Sequence, residues 1–267
     1  MSETKHLDLP DGTIAYDDSG GDGPLIVMLP GAGDIRSEYR FVAPALAAGG
    51  ARVVTMDLRG HGESSPRWPS YGMAETAADL TALLVHLDAG PATVLATSFS
   101  PIAVLWAASD RSDLFRNLVL ISSHLDAAPG YQSVPLSLML RLPFAGRLWA
   151  SQFVKWHPTD PPADLDEHVR ALEEMMSDPD RRTAVRKTLI AHRDGLDERM
   201  EQVDLATLVV MGGADSHFKD PAKEGQSIAE RTGGSLQMIA DAGHYPHVEY
   251  PEAVVEAISR FLAETST

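Results

Sequence analysis

The 267-residue chain contains no cysteine, which excludes disulfides, thiolate nucleophiles and cysteine-ligated metals and leaves the redox compartment unconstrained. It is also short of basic residues: 22 Lys and Arg stand against 38 Asp and Glu, a formal charge of −16. That field repels a phosphate backbone, so nucleic acid is not an expected partner. No long acidic run stands out, and the acidity reads as a solubility-promoting surface. No stretch approaches the roughly 20 apolar residues of a membrane span. The opening MSETKHLDLPDG carries charges where a signal peptide needs an apolar run. The expectation is a cytoplasmic location with no membrane partner; nothing in the sequence addresses oligomeric state. What is present is 44% hydrophobic and 22% charged residues, ordinary for one large globular core and too apolar for a disordered chain.

Short runs rich in Val, Leu and Ile recur: LIVML (25–29), RVVTMD (52–57), TVLAT (93–97), LVLIS (118–122), TLVVM (207–211) and SLQMIA (235–240). Continuous rather than alternating apolar character predicts strands buried on both faces. Helical stretches around 38–48, 74–88, 101–109, 222–232 and 251–264 alternate with them. This βαβα rhythm predicts an α/β fold with a mostly parallel, doubly wound sheet. HLDLP and TIAYDDS come first, and Asp11-Gly12 between them predicts a hairpin, hence an antiparallel edge.

The rhythm breaks between Leu125 and Val203, which divides the chain into a core (1–124 and 204–267) and an inserted helical lid (125–203). Pro135, Pro143, Pro158, Pro161 and Pro162 punctuate the insertion, and Asp164 is the predicted cap of a helix in DLDEHVRALEEMM. The stretch VPLSLMLRLPFAGRLWASQFVKW is rich in Leu, Trp and Phe, as a helix pair packed on its neighbours and as a lid over an apolar site both require.

Thr93-Val94-Leu95-Ala96-Thr97-Ser98-Phe99-Ser100-Pro101 runs from an apolar strand straight into the helix IAVLWAA. A sharp strand-to-helix turn lifts a serine clear of the sheet but crowds its backbone, so the residues two before and two after must be small. Ala96 and Ser100 meet that condition around Ser98. With Ser100 as the central residue, bulky Ile102 would take a crowded position, and Pro101, which has no N–H, would stand where an oxyanion donor is needed. Ser98 is therefore the better candidate nucleophile.

With a serine, then an aspartate, then a histidine, each after a strand, the whole chain resembles the α/β-hydrolase superfamily, and specifically its serine esterase-like members. The family's usual elbow is Gly-x-Ser-x-Gly, and here Ala96 and Ser100 replace both glycines. The resemblance implies an α/β-hydrolase fold. It matches the strand-Gly-x-x-Asp pattern at Asp215, after Gly212-Gly213-Ala214, and the Gly-His pattern before the final helix at His244. His244 would be general base toward Ser98, and Asp215 would orient it. Asp126 and Asp241 are rivals for the acid, and His247 for the base. The oxyanion donors would be the backbone N–H of Phe99 and, from the loop Pro30-Gly31-Ala32-Gly33-Asp34, that of Ala32; Pro30 replaces the family's histidine. Asp57-Leu58-Arg59-Gly60-His61-Gly62-Glu63-Ser64-Ser65 is a further family marker, with Arg59 and His61 expected to be structural. His124 and His217 are placed at the border of the site without a role.

The implied chemistry is hydrolysis of a carboxylic ester or related acyl compound, with a small, apolar acyl molecule as partner, no cofactor and no metal. Lactonase, thioesterase, perhydrolase and carbon–carbon hydrolase activities would use the same three residues. A non-catalytic ligand sensor on the same fold is the alternative of a different class.

Overall fold

The computed structural model describes residues 3–125, 137–142, 144–157 and 159–265. Asp126, Pro135, Pro143 and Pro158 lie outside the described residues. Among the described residues eight strands build one sheet: β1 (Lys5–Leu9), β2 (Gly12–Asp18), β3 (Leu25–Leu29), β4 (Arg52–Met56), β5 (Ala92–Thr97), β6 (Phe115–Ile121), β7 (Thr207–Gly212) and β8 (Ser235–Ile239). Their spatial order is β1-β2-β4-β3-β5-β6-β7-β8. β1 and β2 pair antiparallel, as do β2 and β4, and every other neighbouring pair is parallel. The chain thus has the α/β-hydrolase architecture.

The continuous apolar runs are explained by what lies on each face. Along β3, Val27 and Leu29 enter one core while Ile26 and Met28 enter the other; along β5, Val94 and Ala96 are separated from Leu95 in the same way. Each strand interior is covered twice, so alternation would have left a polar face buried. The first core is closed by helices α2 (Met73–Leu87) and α3 (Ser100–Asp110), the second by α1 (Val42–Ala48) and the C-terminal helix (Pro251–Glu264). In α2 the buried positions Met73, Ala77, Leu80, Leu84 and Leu87 recur at intervals of three and four, one stripe of a 3.6-residue helix.

Two local expectations shift. The first turn is Pro10-Asp11 rather than Asp11-Gly12, because Leu9 and Gly12 are already paired across the hairpin. Gly12 belongs to the strand, where an added Cβ would stand 2.9 Å from Ser65 Cβ. β6 starts at Phe115, earlier than its apolar run, since Asn117 is buried with its amide donating to Thr265 Oγ1 at 3.0 Å.

Between β6 and β7 the described residues form helices α4 (Ala145–Lys155), α5 (Leu165–Met175), α6 (Pro179–Leu189) and α7 (Leu196–Met200), with no strand among them. α4, α5 and α6 share a third apolar core, in which Trp149, Phe153, Leu172 and Met176 meet Ala32, Tyr245 and Val248 of the sheet's loops, whereas Leu196 and Met200 of α7 join the first core. Asp164 does precede α5, but its carboxylate does not cap the helix. Both of its oxygens are taken by Arg40, each at 2.8 Å, so the predicted cap is a tie between segments. The remaining helices are α8 (Pro221–Thr232), α9 (Pro246–Glu249) and α10, the C-terminal helix above. Among the described residues no helix is long and apolar enough to cross a membrane.

Candidate active site

β3 lies between β4 and β5, so the direction of winding reverses there, and the carboxyl edge beside the loops after β3 and β5 is the topological switch point of the sheet. Ser98 stands at this point, at the junction of β5 and α3. Its φ is 62°, in the left-handed region, which costs a residue with a Cβ roughly 1–2 kcal/mol. Two backbone bonds hold it: Ser98 N–H donates to the Ile121 carbonyl at 2.9 Å, and its own carbonyl accepts from His124 N–H at 3.1 Å. Ala96 and Ser100 flank it, both buried. Ser100 does more than fit, because its hydroxyl donates to the Pro30 carbonyl and ties the elbow to the loop after β3. Pro101 falls in the first turn of α3, where its missing N–H is harmless.

The loop Pro30–Asp34 turns on a hydrogen bond from Asp34 N–H to the Gly31 carbonyl at 3.1 Å, with Gly33 at a φ of 82°. Only glycine fits there twice over, since a Cβ would also stand 2.1 Å from the Trp149 ring. Trp149 Nε1–H in turn donates to the Gly33 carbonyl at 2.9 Å, which docks α4 on this loop. Beneath it, Glu38 accepts from Gly31 N–H at 2.9 Å and faces His247 Nε2 at 2.8 Å. Burial, reinforced by Asp34, pushes the Glu38 carboxyl up; burial also pushes the His247 imidazole down, against the pull of Glu38. Tyr39 OH bridges the Leu29 carbonyl (2.7 Å) and Thr97 Oγ1 (2.8 Å), joining the ends of β3 and β5. The backbone N–H groups of Ala32 and Phe99 make no hydrogen bond among the described residues.

At the other end of the edge, β7 leads to Asp215 and β8 to His244. A Cβ on Gly212 would stand 1.9 Å from the Gly243 carbonyl oxygen, so glycine lets the two loops touch, and Ala214 N–H donates to the Ala242 carbonyl at 2.8 Å. Asp215 is buried and accepts three hydrogen bonds: from His244 Nδ1 at 2.7 Å, from His217 N–H at 2.9 Å and from His217 Nδ1 at 3.0 Å. Burial alone would raise its carboxyl; the His244 and His217 imidazoles outweigh that and hold it far below the usual carboxylate range. Burial and the neighbouring His244 push the His217 imidazole down to about 4. His244 N–H donates to the Trp156 carbonyl at 3.0 Å, linking this loop to the inserted helices.

The structure therefore joins Asp215 to His244 directly, while the Ser98 hydroxyl makes no hydrogen bond to His244. The His124 ring stacks on Phe99 at 5.1 Å and is 5.3 Å from the His244 ring. Asp241 is exposed, away from this set. His247 is committed to Glu38. Arg59 and His61 build the loop after β4, Arg59 through a pair of 2.7 Å bonds to Asp79 and His61 through Nδ1 to the Arg59 carbonyl at 2.9 Å. Sequence reasoning missed that His217 shares Asp215 with His244. Its position two residues after the acid was the available signal, since that spacing lets backbone N–H and ring reach one carboxylate.

The fold and this edge define a hydrolase scaffold, and a family model agrees: the chain belongs to the alpha/beta hydrolase family, matched over residues 26–257. It is similar to a segment of the polyketide synthase ThaQ of Burkholderia thailandensis, with 29% identity over 97% of this chain and 13% of that synthase's length. It is also similar to the sn-1-specific diacylglycerol lipase ABHD11 of Mus musculus, 25% identical over 98% of this chain and 89% of the lipase. Among solved structures, a hydrolase from Pseudomonas aeruginosa superposes with a TM-score of 0.82 at 26% identity, covering 97% of this chain and 98% of that one.

Proposed function

We propose that the chain is a serine hydrolase that cleaves a carboxylic ester or related acyl compound through an acyl-enzyme on Ser98. The observation that carries this reading is the left-handed backbone of Ser98, a strained non-glycine residue at a strand-to-helix joint on the switch point of the sheet. Ser98 Oγ attacks the acyl carbonyl as its proton passes to His244 Nε2, and His244 then protonates the departing alcohol. Water, deprotonated by His244, attacks the acyl-enzyme and returns the serine hydroxyl. Asp215 holds His244 with Nδ1–H toward itself and Nε2 free to accept. The unpaired N–H groups of Ala32 and Phe99 receive the oxyanion. The Ser98–His244 bond closes when substrate orders the site, as such contacts often do.

Helices α4 to α6 act as a lid in this reading, and the acyl or alcohol group is apolar. Leu138, Leu142 and Phe144 are exposed large apolar side chains just ahead of α4, and Trp156 and Phe218 are only partly covered beside His217 and His124. The relationship to a diacylglycerol lipase supports the same substrate class. The test is turnover of p-nitrophenyl esters of increasing chain length by the native chain and by Ser98→Ala. Medium-chain esters are expected to outrun acetate, with no turnover by the variant. Retained turnover in Ser98→Ala overturns the mechanism; a clear preference for short polar esters overturns the substrate class.

A further inference from the structure

The mechanism needs one imidazole on Asp215, and the structure supplies two. His217 and His244 meet the two oxygens of the same carboxylate at 3.0 and 2.7 Å, each through Nδ1, and their ring centroids are 3.9 Å apart. The three donor atoms lie within 4.8 Å of one another. Two imidazole nitrogens and one carboxylate oxygen this close together are a donor set that suits a borderline-soft divalent cation such as Zn²⁺ and leaves further positions for water. The set is also preorganised, since His217 N–H fixes one oxygen of Asp215 at 2.9 Å and the His244 backbone is anchored to Trp156.

We propose that Asp215, His217 and His244 form an inhibitory binding site for a divalent transition-metal ion, Zn²⁺ being the best match. The sequence led to no such expectation, because the two histidines stand in different loops. The inhibitory part rests on the acyl-transfer reading above; the binding part does not. In the free protein each ring presents Nδ1–H to Asp215. A cation binding at Nδ1 takes the place of that proton, which leaves Nδ1 and is re-formed on Nε2, so the proton count of each imidazole is unchanged. The consequence falls on His244: its Nε2, which must accept the Ser98 proton, becomes an N–H donor. The cation sits on the Nδ1 edge of His244, not on the Nε2 edge that serves Ser98, so kcat falls and KM does not rise.

The experiment uses the full chain, freed of metal with a chelator, and Zn²⁺ itself as probe. Isothermal titration is expected to show one Zn²⁺ per chain. p-Nitrophenyl ester kinetics are expected to show loss of kcat at constant KM, restored by EDTA. In His217→Gln the Asp215–backbone bond survives but one ligand is gone, and Zn²⁺ affinity and inhibition are expected to weaken together by tenfold or more. His192→Gln, at a fully exposed histidine, is expected to change neither. A readout on the native chain guards against a variant that folds poorly: in ¹⁵N-histidine spectra, Zn²⁺ should move the protons of two imidazoles from Nδ1 to Nε2. Absent binding, or binding unchanged in His217→Gln, overturns the site. Binding at the site with turnover unaffected overturns its inhibitory role. His217-dependent binding in a protein with no Ser98-dependent turnover overturns the acyl-transfer reading and leaves the metal site standing.

Discussion

Asp215→Asn is nearly isosteric, and the structure dictates which way the new amide must face. One carboxylate oxygen accepts from the His217 backbone N–H at 2.9 Å and from His217 Nδ1 at 3.0 Å; the other accepts from His244 Nδ1 at 2.7 Å. A backbone N–H cannot change tautomer, so the asparagine oxygen is held on the His217 side and its NH₂ group faces His244. Two donors cannot meet at 2.7 Å. His244 must turn Nδ1 into an acceptor and carry its proton on Nε2, where it can no longer take the proton of Ser98. Loss of the correct tautomer costs about 10⁴-fold in kcat in a serine protease with this arrangement, or roughly 5 kcal/mol of transition-state stabilisation. A loss of that order is expected here near neutral pH, with KM little changed and circular dichroism unaltered. The assay is steady-state p-nitrophenyl ester hydrolysis, with the disappearance of the far-downfield Nδ1 proton of His244 as its spectroscopic counterpart. A kcat within tenfold of the native chain, in a folded variant, would refute the assignment of Asp215 as the residue that sets the His244 tautomer.

Three further outcomes follow from the same geometry. Burial pushes the His61 imidazole down to about 4 from an ordinary 6.5; the unfolded chain therefore takes up its proton first, and stability falls as pH drops from 6.5 to 4, by about 3 kcal/mol for this group. Urea unfolding across that range should be less pH-dependent in His61→Asn, whose amide can still donate to the Arg59 carbonyl; an unchanged slope counts against the argument. Ser100→Ala leaves the buried Pro30 carbonyl without its donor, so about 1–3 kcal/mol of stability is expected to be lost, with kcat reduced more than KM is raised; a melting temperature and kcat equal to the native values would contradict it. Trp149→Phe keeps an aromatic ring over Gly33 but removes the 2.9 Å bond to its carbonyl. It should lower kcat/KM for medium-chain esters by several-fold, about 1 kcal/mol, and equal values for the two proteins would break the link between α4 and this loop.

Strands and their order of appearance were legible because each run is short, apolar throughout and followed by a helical period. The placement of Ser98 at the strand-to-helix turn was legible from sterics, since only that register leaves small residues on both sides, and the structure puts Ser98 there with a left-handed backbone. Asp215 and His244 were recognised through a family pattern, and the structure adds the 2.7 Å bond between them. Other features depend on distant side chains and leave no trace in local spacing. Glu38 and His247 meet only after the chain has crossed the sheet. Asp164 has the residue type of a helix cap, yet Arg40, a stronger partner for its charge, takes both oxygens. Ser100 meets the steric demand for a small residue, yet its hydroxyl also binds the Pro30 carbonyl, which no glycine could reach. Departure from the family's glycine thus replaces flexibility with a tie.

The most direct test of the account is the site of reaction with a fluorophosphonate, read by intact mass and peptide mapping of the native chain. One adduct per chain is expected, on Ser98, and none in Ser98→Ala. An adduct on Ser100 or Ser122, or no adduct from a folded and undamaged protein, would contradict the assignment of Ser98 as the nucleophile.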